Sequence, residues 1–75
     1  VSNIFIAVGK VDYEFEKIIG IARSFGDAAG HVGTAESKRD YPFDRFYVQE
    51  WVPGGSKPVA VWTKQAAEIA WREMS

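Results

Sequence analysis

The chain has no cysteine and only one histidine among its 75 residues. Without cysteine it has no disulfide framework, no thiolate zinc site and no thiol nucleophile, and a reducing, cytoplasmic setting is the expectation. His31 stands alone, so it has no second imidazole with which to build a metal site or a nucleophile pair. Charge of one sign is also missing. Nine Lys and Arg face ten Asp and Glu, a net charge of -1, so no global basic field draws a nucleic-acid backbone. No apolar run is long enough for a membrane span, and Val1-Ser2-Asn3-Ile4 lacks the basic and long apolar regions of a signal peptide.

What is present points to a packed domain. Hydrophobic residues make up 47% and aromatics 15%, too apolar for a disordered tail. Residues 1–75 read as a single domain, near the size at which one core is only marginally sufficient and oligomerisation is a common remedy.

Asn3 to Gly9 is a short run of β-formers ended by glycine, with Phe5 and Ala7 on one face and Ile4, Ile6 and Val8 on the other. Apolar residues on both faces predict a central or doubly covered strand. Lys17 to Arg23 predicts a second strand, with Ile19 and Ile21 on one face and Ile18 and Ala22 on the other. Gly20 there marks a bulge or the close approach of a neighbouring backbone. Ser24 and Asp27 form a capping box at a helix start, followed by the apolar stripe Phe25, Ala28, Ala29, Val32 and Ala35. Gly26, Gly30 and Gly33 weaken this helix, which is expected to stop near Gly33 or to be held by tight packing of its small residues on the sheet.

Arg45 to Val52 alternates as a third strand. Phe46 and Val48 fall on one face, Arg45, Tyr47, Gln49 and Trp51 on the other. The Pro53 to Pro58 turn leads to a short fourth strand, Val59 to Trp62, at a sheet edge. Thr63 is then placed as the cap of a final helix from Lys64 to Met74, with Ala67, Ala70, Trp71 and Met74 on its apolar face. The predicted class is a two-layer α+β domain. It has a mainly antiparallel sheet of three to four strands in the order β-β-α-β-(β)-α, and the helices pack on one face.

No constellation of residues carries recognisable catalysis. Asp12, Glu14 and Glu16 lack the Asp/Asn and glycine spacing of a calcium loop and read as a solvated edge. Carboxylate pairs drawn from Asp40, Asp44 and Glu50 are of a kind that any protein of this size contains. The run Gly26 to Gly33 opens a helix after a strand, yet it matches neither G-x-G-x-x-G nor the P-loop, and Asp27 would repel a phosphate. The expectation is a non-enzyme with no catalytic residue, metal ligand or cofactor.

The segment Tyr41 to Trp51 holds five aromatic residues. Tyr41, Phe43, Arg45, Tyr47, Gln49 and Trp51 are the candidate binding residues, a Tyr, Trp and Arg mixture typical of interface hot spots. A protein partner, or a second copy closing a homodimer, is expected there, unless the final helix covers the Tyr47 and Trp51 face. Trp62 and Trp71 are read as clamping that final helix to the sheet. The alternative function is single-strand nucleic-acid binding, with Tyr41 and Phe43 stacking on bases and Lys38, Arg39 and Arg45 meeting phosphates. Against it, Glu36, Asp40 and Asp44 nearly cancel the local charge.

Glu16-Lys-Ile-Ile-Gly-Ile-Ala-Arg-Ser24 and Phe43-Asp-Arg-Phe-Tyr-Val-Gln-Glu-Trp51, separated by a small-residue helix, resemble the core of small uncharacterised proteins of bacteria and their phages. The resemblance spans about residues 3 to 52 and departs from the group in the glycine-rich helix and from Pro53 onward. It implies a ββαβ core and a small accessory protein of a phage or mobile element; with the aromatic surface, the function expected is an interaction module that binds and modulates a host protein. It brings no catalytic residue with it.

Overall fold

The computed structural model describes residues 3–11, 13–38, 43–66 and 68–74. Five strands and one helix follow in the order β1 (Ile4–Val11), β2 (Phe15–Ala22), α1 (Phe25–Lys38), β3 (Arg45–Trp51), β4 (Ala60–Gln65) and β5 (Arg72–Met74). The strands form one sheet, ordered β2-β1-β3-β4-β5, and every neighbouring pair is antiparallel. The helix packs on one face of β1, β2 and β3. Among the described residues no helix is long and apolar enough to cross a membrane.

Local sequence explains the first half. The β1–β2 hairpin closes with the amide of Glu14 donating to the carbonyl of Val11, and Tyr13 takes a positive φ of 67°. At the start of α1 the hydroxyl of Ser24 accepts from the amide of Asp27 at 3.2 Å, and its carbonyl accepts from the amide of Ala28. Asp27 sits in the first turn, where a negative charge complements the helix dipole. The core is Ala7, Val8, Ala28, Val32, Phe43, Phe46 and Val48. It is built from the odd positions of β1, the even positions of β3, the inner stripe of α1 and Phe43, with Val8 turned to the opposite side of the sheet.

The glycines expected to pack α1 tightly do not do so. A Cβ at Gly26, Gly30 or Gly33 would meet nothing within 4 Å, so these residues line the outer side of the helix, which runs on to Lys38. Ala28 and Val32 make the contact with the sheet.

The expected second helix is overturned. Lys64 and Gln65 belong to β4, paired with Phe46 and Arg45, and Arg72 to Met74 form β5 against Thr63 to Val61. Among the described residues the fold is therefore a five-stranded antiparallel sheet with one helix between β2 and β3, in place of three to four strands with two helices. The segment's helix propensity is local, whereas β3 offers a ladder of backbone donors and acceptors as far as Arg45, and tertiary pairing outweighs propensity. Thr63 donates its hydroxyl to the carbonyl of Phe46 at 3.1 Å instead of capping a helix. The chain then reverses at a turn where the amide of Glu68 donates to the carbonyl of Gln65.

Trp62 and Trp71 consequently clamp α1. Phe25 makes edge contacts with both, its ring centroid 5.0 Å from Trp62 and 5.7 Å from Trp71. Such geometry is favoured by the ring quadrupoles.

Candidate functional site

With α1 on one side and no second helix, the other face of the sheet carries no covering layer among the described residues. Residues paired across an antiparallel ladder share a face, so the strand registers order this surface into rows. At one end Ile4 lies beside Trp51. The next row runs Ile21, Ile6, Gln49, Val61, Met74 from edge to edge. The third runs Ile18, Val8, Tyr47, Thr63, Arg72. The last row is polar, with Glu16, Lys10, Arg45 and Gln65.

A bulge builds part of this surface. The register of β1 against β2 shifts between Ala7 and Val8, leaving Ile19 as the extra residue opposite them. Strict alternation would put Ile18 and Ile21 on opposite faces. The extra residue returns both to the open face, where they are 59% and 62% exposed, and turns Ile19 and Ala22 toward the core. Gly20 is needed at the same place for close approach: a Cβ there would lie 2.5 Å from the ring of His31.

Of the six candidate binding residues, four stand together. Arg45, Tyr47, Gln49 and Trp51 are alternate residues of β3, the central strand of five, and all are half-buried on the open face. The indole nitrogen of Trp51 donates to the side-chain oxygen of Gln49 at 3.1 Å, which fixes both side chains. Phe43 lies elsewhere. It is 7% exposed, its ring 5.6 Å from that of Phe46, and it covers Gly9 on the helix side. Tyr41, like Arg39, Asp40 and Asp12, lies outside the described residues, as does the side chain of Lys38. Phe43 and Arg45 thus sit on opposite faces of the sheet and do not form one stacking platform.

Ile4, Ile6, Ile18, Ile21, Val61 and Met74 belong to the same surface and were not among the candidates. Alternation in β1 separates Ile4, Ile6 and Val8 from the core side, which was the available signal. It could not distinguish a covered second face from an open one.

The open face offers apolar and aromatic side chains, with polar groups at one end. Among the described residues no group of three or more His, Cys, Asp or Glu could hold a metal ion. Glu14 and Glu16 are exposed at the hairpin. Among the described residues the one buried charge is Lys64, whose ammonium lies 2.6 Å from the Glu36 carboxylate and 2.7 Å from the carbonyl of Glu68. It is also near the rings of Phe46 and Trp71 on the helix side, remote from the open face.

Neither family models, curated proteins nor solved structures contain a match to this chain. The site is therefore argued from its own geometry.

Proposed function

We propose that this chain is a non-enzymatic protein-interaction module that works through the open face of its sheet, centred on Tyr47, Gln49 and Trp51. One observation carries the reading: an aromatic and aliphatic surface spans all five strands on the side of the sheet without a helix. Contiguous apolar patches of this kind on small proteins mark interaction sites. Tyr and Trp are the side chains most often dominant in contact energy, because they bury much area with few rotatable bonds. Arg45 and Lys10 at one end supply a polar rim.

The test pairs Tyr47→Ala and Trp51→Ala with the unaltered chain. Each immobilised protein is offered a host lysate and, separately, free chain, and retained proteins are identified by mass spectrometry. The expected result is association lost in both variants while their far-UV circular dichroism is unchanged. Association that persists undiminished in well-folded variants removes the open face as the contact surface.

A further inference from the structure

We propose that the occupant of the open face is a second copy of this chain, with the two sheets stacked about a two-fold axis parallel to β3. The inference rests on the reading of that face as a contact surface and adds its partner and geometry.

The strand order makes the face self-complementary. β3 is third of five, so a two-fold axis along it lays β1 over the partner's β4 and β2 over the partner's β5, while keeping every row in register. Ile6 then meets Val61 and Ile21 meets Met74, each aliphatic against aliphatic, while Trp51, Gln49 and Tyr47 meet their own copies at the axis. Facing sheets pack about 10 Å apart, with strands within about 30° of each other, which suits side chains of this size.

The area is that of a weak, reversible pair. Two full rows across five strands at about 4.8 Å spacing, with Ile4 and Trp51 beyond them, cover about 400 Å². Two such footprints bury about 800 Å² before side-chain relief is counted, the size of a transient contact. The charges agree with a like partner. Of the residues named in the first three rows only Arg72 is charged; the axis sets it over the partner's Ile18 at the outer edge of the contact, where this exposed side chain keeps its guanidinium in water, and the chain's net charge of -1 opposes pairing little. In the last row Arg45 meets its own copy. This repulsion confines the contact to the first three rows, and added salt tightens the pair by screening it.

Because the chain has no cysteine, a single introduced thiol reports position without interference. Gln49→Cys lies at the axis, and Gly33→Cys, on the outer side of α1 where a Cβ meets open space, is the control. The expected results are a solution mass of twice the 8.4 kDa chain mass at 100 µM, and covalent dimer from Gln49→Cys but not Gly33→Cys with a short bismaleimide. Ile21→Lys, exposed in the single chain and needing no rearrangement, is expected to weaken the pair at least tenfold without unfolding it. A mass of 8.4 kDa at every concentration up to 500 µM overturns the proposal. So does a dimer indifferent to Ile21→Lys and uncrosslinked at Gln49→Cys, which removes the open face as the contact between copies. A monomer that still captures another protein through Tyr47 and Trp51 overturns the second copy alone and leaves the interaction reading intact.

Discussion

The ammonium of Lys64 lies 2.6 Å from the carboxylate of Glu36, joining β4 to α1 across the edge of the core. Lys64 is almost enclosed, its side chain 8% exposed, while that of Glu36 keeps 28%. Removing the anion leaves a desolvated cation, which costs more than the pair itself contributes. Glu36→Gln is expected to destabilise the fold by about 1–3 kcal/mol, less than a fully buried pair because Glu36 is partly wet and Lys64 retains the Glu68 carbonyl. Lys64→Met, which keeps the contacts with Phe46 and Trp71, is expected to cost under about 1 kcal/mol. Urea unfolding of the two variants checks the asymmetry, and equal losses would contradict it.

A second dependence couples Gly9 to Phe43. A Cβ on Gly9 would sit 2.7 Å from two ring carbons of Phe43, a buried side chain with little room to move. Gly9→Ala should therefore destabilise by about 2–3 kcal/mol through overpacking. In a Phe43→Leu background, where the ring is gone, the same change should cost less than half as much. A double-mutant cycle by thermal denaturation measures the coupling, and additive losses would show that the ring does not limit position 9.

The outer side of α1 has the opposite character. Gly30 and Gly33 lie within the helix and face open space, so a methyl group there meets no neighbour. Gly30→Ala and Gly33→Ala should each stabilise by about 0.5–1 kcal/mol, because alanine loses less backbone entropy on folding. Their sum should raise the melting temperature by about 5–10 °C in a domain of this length. Scanning calorimetry of the double variant tests it, and a decrease would mean that the two glycines carry a packing role.

The contrast between these glycines and Gly9 or Gly20 shows what was legible in the sequence. Gly20 interrupts a strand of β-formers, and the bulge beside it could be read from that context, whereas the group that approaches it is the ring of His31 and not the neighbouring backbone expected there. The alternation of Phe46 and Val48 with Tyr47, Gln49 and Trp51 likewise assigned the two faces of β3 correctly, and Ser24 with Asp27 marked the start of α1. Phe43 was read with its aromatic neighbours as surface because its destination is set by the missing side chain of Gly9, a contact no local pattern reveals. The segment from Lys64 to Met74 carries helical composition throughout. Its first residues complete a ladder with β3, and the ion pair with Glu36 holds them there, both non-local effects.

The open face itself is graded, and this separates its folding role from its contact role. Val8 lies on it between Ile18 and Tyr47 yet is only 6% exposed, whereas Ile21, one row away, is 62% exposed. Val8 is already sealed by its neighbours within one chain, so Val8→Ala should cost about 1–3 kcal/mol of stability at any protein concentration. Ile21→Thr removes little that the single chain has buried and keeps a β-branched side chain on the strand. It should change stability by less than about 0.5 kcal/mol when measured at low micromolar concentration. At several hundred micromolar the unaltered chain should gain melting temperature by mass action while Ile21→Thr gains less, since a partner that binds only the folded state stabilises it. Melting curves at the two concentrations decide the matter, and identical shifts for both proteins would place Ile21 outside the contact.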